Sequence, residues 1–172
     1  MEEERQKDLP SLVFRWDVFL SFRGEDTRHN FTRCLHEELV RNKVDTFLDD
    51  EGLEEGDDLA PGLSAAINES AAYIAVISKN YTGSRLAQIL ERKRRLLPVF
   101  YEVDPSNVRR QDGPFEKAFQ DLEQRHGEDK VQRWRKALAE AGNKKGWDSR
   151  KKDNSKLIQD IIKTILREVY NG

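Results

Sequence analysis

The sequence predicts an α/β fold in which helices cover both faces of a parallel sheet, giving a three-layer sandwich. Apolar runs such as "WDVFLSF" and "YIAVIS" are continuous, as expected of strands buried on both faces. Amphipathic, helix-like segments stand between successive runs. The chain has 172 residues, 37% of them hydrophobic, which is enough for one domain with its own core.

The first half of the chain supplies two strands and two helices. "WDVFLSF" is the first strand, and "NFTRCLHEELVRN" follows with Phe31, Cys34, Leu35 and Leu39 at helical spacing. We therefore expect a helix in which Cys34 is half-buried. "VDTFLDD" is the second strand, "EGLEEGDD" an acidic loop, and Pro61 suits the first position of a helix over "PGLSAAINES".

The second half continues the alternation. "YIAVIS" and "LLPVFYEV" are strands separated by a short helix around Leu86, Ile89 and Leu90. Pro98 has no N–H to donate to a neighbouring strand, which favours a position near a sheet edge.

"DPSNVRRQDG" is interpreted as a loop, and two helices follow it, the second ending at Gly142. "GWDS" is a short last strand, and a closing helix begins near Ser155. The apolar positions that share a face in these three helices are Phe115, Ala118, Phe119 and Leu122, then Val131, Trp134, Leu138 and Ala141, then Leu157, Ile158, Ile161, Ile162, Ile165 and Val169.

Composition excludes several classes of function. Thirty basic residues nearly balance 32 acidic ones, for a net charge of −2, so no general attraction to nucleic acid is expected. A single cysteine excludes an internal disulfide framework and a thiolate zinc site. Residues 1–13 form a charged leader before a domain at 14–172, and neither a signal peptide nor a membrane span is visible. We expect a soluble protein that does not bind membranes.

Familiar nucleotide and metal motifs are absent. There is no Gly-x-x-x-x-Gly-Lys-Ser/Thr, and no Gly-x-Gly-x-x-Gly follows the first strand. A phosphoacceptor receiver domain would need an aspartate where the third strand ends in "VISKNY". His29, His36 and His126 lack metal-ligand spacing, so no metal is expected.

Four segments should meet beyond the carboxyl ends of the strands, where ligands bind in such sheets. They are "FRGED", "DDEGLEEGDD", "SKNYTGSR" and "DPSNVRRQ". In the first, Arg23 offers a fork of donors for phosphate or carboxylate and Gly24 permits close approach of a ligand. Arg23 suits equally well a structural ion pair with Glu25, Asp26 or Asp49.

Runs of like charge have both functional and simple interpretations. The acids between Asp49 and Asp58 could form a metal or acid–base cluster, although a solvated loop is the favoured interpretation. The basic run from Arg92 to Arg95 could bind phosphate groups or the acidic loop of a partner, although a solvated helix C-terminus is the favoured interpretation.

Together the segments resemble the plant-type Toll/interleukin receptor (TIR) domain of nucleotide-binding leucine-rich-repeat immune receptors. The resemblance rests on "WDVFLSFRGEDTRHNFTRCLHEELVRNKVDTFLDD", "AINES", "ISKNY", "LPVFYEVDPSNVRRQDGPFEKAF" and "RWRKALAEAGNKKGWDS", and covers the chain from Trp16 to Tyr170. It implies a flavodoxin-like sheet of five parallel strands, in agreement with the pattern of apolar runs.

The resemblance also implies a function. Such domains associate with other TIR domains and cleave NAD⁺ at the nicotinamide–ribose bond, which triggers plant defence and cell death in the cytoplasm or the nucleus. A carboxylate near the ribose would stabilise the oxocarbenium-like charge. The positions that match the family's nucleotide-facing segments, including its mobile "BB" loop, are Phe22, Arg23, Gly24, Glu25, Asp50, Gly56, Ser78, Tyr81 and Ser84.

Two departures from the family pattern bear on this function. Where the family carries a Ser-His pair on a self-association surface, this chain has Arg33 and Cys34. The family's catalytic glutamate, in a Trp-Cys-x-x-Glu segment, belongs between Arg85 and Leu86, where the chain has no such residues. We expect NAD⁺ glycohydrolase activity only if the protein carries that glutamate; the alternative is an inactive adaptor or decoy that acts by TIR–TIR docking.

Overall fold

Five parallel strands form one sheet in the computed structural model, which describes residues 14–53 and 61–170. The strand order is β2-β1-β3-β4-β5, so β3 is central, β1 lies between β2 and β3, and the chain reverses direction across the sheet after β2. The predicted flavodoxin-like sheet is confirmed. The strands are β1 (Trp16–Phe22), β2 (Thr46–Asp50), β3 (Ser70–Ile77), β4 (Arg95–Phe100) and β5 (Trp147–Asp148).

Helices connect the strands and close the chain. Most lie where the periodicity predicts them, and Pro61 is the first residue of its helix as expected. The helices are α1 (Gly24–Thr27), α2 (Phe31–Arg41), α3 (Pro61–Asn68), α4 (Ser84–Leu90), α5 (Pro105–Arg110), α6 (Pro114–His126), α7 (Glu128–Gly142) and α8 (Asn154–Ile165). A 3₁₀ turn (Ser149–Lys151) precedes α8, and a π-helical turn (Leu166–Tyr170) follows it.

The sheet separates two hydrophobic clusters. On one face, side chains of α3, α4, α6 and α7 pack around Phe19 and Tyr73, and Trp134 is completely buried among them. On the other face, α2 and α8 pack on the alternate strand residues, among them Leu20 and Ile74. Because successive side chains of a strand point to opposite faces, each central strand supplies both clusters. This explains the continuous apolar runs in the sequence.

Pro98 lies near the sheet edge, as predicted. It is in β4, whose outer neighbour β5 pairs only with Val99 and Phe100. The missing N–H of Pro98 therefore costs no ladder hydrogen bond on that side. Gly146 lies against the Pro98 carbonyl, where a Cβ would overlap it.

Two local expectations were wrong. Cys34 is exposed, because Phe31, Leu35 and Leu39 define the buried face of α2 and Cys34 lies about 100° away from Leu35 around the helix. "DPSNVRRQDG" is not only a loop, since it contains α5. Its signals were Asp104 as N-cap, which accepts a hydrogen bond from Ser106 N, and Pro105 as the first helical residue.

The basic run is a solvated helix end only in part: Lys93 is exposed just after α4, whereas Arg94 and Arg95 have specific partners. Arg94 donates to the carbonyl oxygens of Asn68 and Ser70, and Arg95 opens β4 and pairs with Glu168. Residues 1–13, predicted to be a charged leader, lie outside the described residues, so the boundary at residue 14 stays a prediction. Among the helices that the structure describes, none is both long and apolar enough to cross a bilayer.

Candidate functional site

The carboxyl ends of β1, β2 and β3 bring three of the four predicted segments into direct contact. The Asp26 carboxylate of α1 accepts hydrogen bonds from the Ser78 hydroxyl and from the backbone and side-chain nitrogens of Asn80. Glu51, after β2, contacts Thr82 and the segment that leads into α4. We call this region, formed by residues 22–27, 49–53 and 78–85, the carboxyl edge.

Glu51 is a buried acid at the centre of the carboxyl edge. Its carboxylate accepts hydrogen bonds from Thr82 N at 2.6 Å and Thr82 Oγ1 at 2.9 Å, and Arg23 Nη1 lies 3.6 Å away. Burial raises the pKa of Glu51 to about 7, although the bonds from Thr82 and the charge of Arg23 act to lower it. The carboxyl group is therefore poised to change protonation near neutral pH.

Asp49 is the second buried acid, and it pairs with a buried arginine. Arg85 Nε donates to Asp49 Oδ2 at 2.9 Å, and neither residue is more than 6% exposed. The interpretation of the acidic run as a solvated loop was therefore wrong for Asp49 and Glu51. The sequence could not distinguish them from their neighbours, because only the fold shows which acids meet donors.

Asp50 links α1 to the loop that follows β2 through hydrogen bonds. It accepts hydrogen bonds from Gly24 N at 2.8 Å and Gly52 N at 2.9 Å, and it pairs with Arg28. A Cβ on Gly24 would overlap the Asp50 carboxylate. The close approach that was expected of a ligand at Gly24 is thus made by a side chain of the protein.

The remaining predicted positions divide between buried and exposed. Tyr81 is buried with its hydroxyl 2.6 Å from Ser21 Oγ, and burial raises its pKa well above the ordinary value. Phe22 and Ser84 are also buried, whereas the side chain of Glu25 is 58% exposed. Arg23 lies 3.5 Å from Glu25, so the structural ion pair foreseen as an alternative is present. Gly56 lies outside the described residues.

The helix on which the family's glutamate was expected carries no acid. Arg85 and Leu86 are consecutive residues of α4, whose sequence is "SRLAQIL". Arg85 points inward to Asp49 instead. No group of acids, histidines and cysteines within the described ranges is arranged to hold a metal ion.

A second feature lies on the face of the sheet that α2 and α8 cover. A groove of about 550 Å³ runs between α2 and α8. We call it the α2–α8 groove. Its rim carries both signs of charge, including Arg33, Glu37, Glu38 and Arg41, and it contains the exposed Cys34. Arg33 and Cys34, which replace the family's Ser-His pair, thus face solvent.

A family model described as "TIR domain" matches residues 15–171. The chain is a TIR domain. The resemblance inferred from the sequence is thereby confirmed, and its fold agrees with the sheet described above.

Plant disease resistance proteins contain similar TIR domains. The chain is 45% identical over 166 residues to "Disease resistance protein RPV1" of Vitis rotundifolia, a match that covers 90% of the chain and 12% of that protein. It is 46% identical over 165 residues to "TMV resistance protein N" of Nicotiana glutinosa, covering 88% of the chain and 14% of that protein. The TIR domain therefore spans only a small part of these relatives.

Solved TIR structures have the same fold. The TIR domains of the activated Roq1 resistosome, which recognises the pathogen effector XopQ, match with a TM-score of 0.76 and 42% identity, over 87% of this chain and 99% of that one. A chain of the RPS4 and RRS1 TIR heterodimer matches with a TM-score of 0.51 and 18% identity, over 89% and 97% of the two chains, which supports the fold alone.

Proposed function

We propose that this TIR domain acts in plant immune signalling by docking to other TIR domains, in the cytoplasm or the nucleus. The observation that carries this proposal is the groove between α2 and α8, whose lining carries charges of both signs, and α4 has no acid where the resemblance places the catalytic glutamate. The buried acids of the carboxyl edge are held by Thr82, Arg23 and Arg85 within the fold. Docking to another TIR domain does not require these buried acids to contact a ligand.

The α2–α8 groove is the proposed docking surface. Arg33 and Arg41 stand on the same rim as Glu37 and Glu38, so a second TIR domain could offer opposite charges in register. The similarity to disease resistance proteins and to the TIR domains of a resistosome supports an assembly of TIR domains as the signalling form.

Light scattering on the 172-residue chain tests the docking proposal, alone and mixed with a TIR domain from a related resistance protein. We expect the mean mass to rise with concentration or on mixing. Arg33→Glu should lower this association, because it reverses a charge on the groove, whereas Arg110→Glu, at the exposed end of α5, should not. A monomeric mass under all these conditions would contradict the proposal.

Cleavage of NAD⁺ is the second candidate function. It is favoured by one observation, the carboxyl group of Glu51 with a pKa of about 7 beside Arg23 at the carboxyl edge. In this candidate Glu51, which is completely buried against Thr82, would have to turn out of the fold to replace the missing glutamate and stabilise positive charge on the ribose as nicotinamide leaves.

Release of nicotinamide from NAD⁺ by the concentrated chain separates the two candidates. Docking alone predicts no release above that of buffer. Release that is lost in Glu51→Gln and kept in Glu116→Gln would favour the enzyme, since Glu116 is an exposed residue of α6 outside the carboxyl edge.

A further inference from the structure

Arg85 is a completely buried arginine with unused hydrogen-bond donors. Its Nε is bound to Asp49, but Nη1 and Nη2 make no hydrogen bond to any residue that the structure describes. Buried donors of native proteins are nearly always paired, because losing water without a new partner costs free energy. The two nitrogens of this guanidinium therefore indicate a missing acceptor.

A cavity of about 210 Å³ adjoins Arg85. Its wall is mainly apolar and is formed by residues of β2, of the turn that follows β2, and of α3. Two acids complete the lining. Its lining, besides Arg85, comprises Phe47, Leu48, Leu53, Leu63, Asp49 and Asp50. Pockets for drug-sized molecules are larger, about 300–1,000 Å³, so the matching ligand is small.

The charges around the cavity limit what that ligand can be. Arg85 is paired with Asp49, and Asp50 is paired with Arg28, so the four charges balance. Asp49 and Asp50 would repel any anion in the cavity, and they would repel a doubly charged phosphate more strongly than a singly charged carboxylate. A single carboxylate suits the site better, because the two terminal nitrogens of a guanidinium can hold both of its oxygens.

We propose that this cavity binds a monocarboxylate with a small apolar body, its oxygens on Arg85 Nη1 and Nη2 and its body against Phe47, Leu48, Leu53 and Leu63. Such a group could be a free carboxylic acid or the carboxyl terminus of a peptide that ends in an apolar residue. This site is independent of the proposed docking function, which uses the opposite side of the sheet.

Calorimetric titration of the 172-residue chain tests the site. The probes are 4-methylpentanoate, N-acetyl-leucine, N-acetyl-leucinamide, inorganic phosphate and a hexapeptide ending in leucine. N-acetyl-leucine should bind saturably and at least about tenfold more tightly than its amide, which lacks the charged carboxylate. Phosphate should bind more weakly than N-acetyl-leucine. Comparable affinities for 4-methylpentanoate and the peptide would identify a free acid as the source, and a much tighter peptide would identify a carboxyl terminus.

Matched variants assign the binding to Arg85. Arg85→Gln alone would leave Asp49 buried without its cation, so the double variant Arg85→Gln with Asp49→Asn keeps a neutral pair and guards against unfolding. We expect the double variant, shown by circular dichroism to be folded, to lose at least about tenfold in affinity for N-acetyl-leucine. Arg110→Gln, which changes the exposed last residue of α5, should bind as the unmodified chain does.

Three results would overturn the proposal. One is equal binding of the carboxylate and the amide, and another is unchanged affinity in the folded double variant. The third is no saturable binding of any carboxylate, together with a crystal structure in which ordered water alone occupies Arg85 Nη1 and Nη2.

Discussion

At the scale of single residues, two opposed effects determine the pKa of Glu51. Burial favours the neutral acid, whereas Thr82 and Arg23 favour the carboxylate. Desolvation is the larger effect, so the pKa lies near 7 rather than at its ordinary value of 4.5. A raised pKa of an acid means that the folded protein holds a proton that the unfolded chain has already released.

The free energy of unfolding should therefore fall between pH 4.5 and 7 because of Glu51. The stabilising contribution is complete below pH 4.5, and is lost as the pH rises through 7, by roughly 3 kcal/mol. Urea unfolding at a series of pH values measures this slope, which Glu51→Gln should flatten. Asp148, Asp160 and Glu168 have lowered pKa values, so their contributions change below this window.

Glu25→Gln is the control for this slope, because the Glu25 side chain is 58% exposed. It should keep the pH dependence of the unmodified chain. Identical slopes for both variants between pH 5 and 7 would show that Glu51 is not the group responsible.

Gly24 provides a second test at a single residue. A methyl group there would overlap the Asp50 carboxylate, which two backbone N–H groups and Arg28 hold in place. We expect Gly24→Ala to lower the free energy of unfolding by about 1–3 kcal/mol. Gly62→Ala is the matched control, since nothing lies within 4 Å of its Cβ position, and it should be neutral or slightly stabilising. Equal urea midpoints for the two variants would contradict the described contact.

The sequence predicts the carboxyl edge only in outline. The loops at the carboxyl ends of the strands follow from the pattern of apolar runs, so the segments around Arg23, Asp50 and Ser78 could be expected to meet, whereas the strand order could not be predicted. The burial of Glu51 could not, because it depends on Thr82, a residue 31 positions away that has no distinguishing pattern around it. Arg85 was likewise hidden, since its partner Asp49 lies 36 positions away in an otherwise acidic run.

At the scale of elements, the helices were predicted from the period of their apolar residues, and their ends from capping residues. α6, α7 and α8 each have a long, regular stripe of apolar residues, and the sequence predicts all three helices. α5 has only six residues and a single buried one, Val108, so periodicity carried no signal and only its cap could have shown it. The position of a short helix is therefore indicated by its capping residues rather than by a periodic stripe of apolar residues.

Asp153 should make a measurable contribution as the N-cap of α8. Its side chain accepts a hydrogen bond from Lys156 N at 2.9 Å. Asp153→Ala should lower the free energy of unfolding by about 0.5–2 kcal/mol, whereas Asp153→Asn should retain most of the stability. The measurement is urea unfolding followed by circular dichroism. A stability loss of equal size in both variants would indicate that the charge, not the cap, matters.

At the scale of the whole molecule, one sheet separates two cores, and each is closed by helices from distant parts of the chain. α8 closes the second core from the end of the described chain, where Leu157, Ile161 and Ile165 are completely buried. The domain should therefore unfold as one unit, because both cores share the central strands.

Ile161→Ala tests this cooperation. Removing a fully buried isoleucine should cost about 2–5 kcal/mol. In a background in which Trp16 and Trp147 are replaced by Phe, fluorescence from Trp134, in the opposite core, should report the same midpoint as circular dichroism. Lys163→Ala, on the exposed side of α8, should change little. Separate midpoints for the two signals would show that the cores unfold independently.

The position of β1 between β2 and β3 has a consequence for how the chain is made. β1 is synthesised before its neighbours, and its pairs with Thr46 of β2 and Ala72 of β3 must wait for those strands. At about 5–20 residues per second, the roughly 50 residues up to β3 take on the order of 3–10 s to add. During that time β1, five of whose seven residues are buried in the finished sheet, lacks its second neighbour, so this largely apolar segment stays open to non-native contacts until β3 has been made.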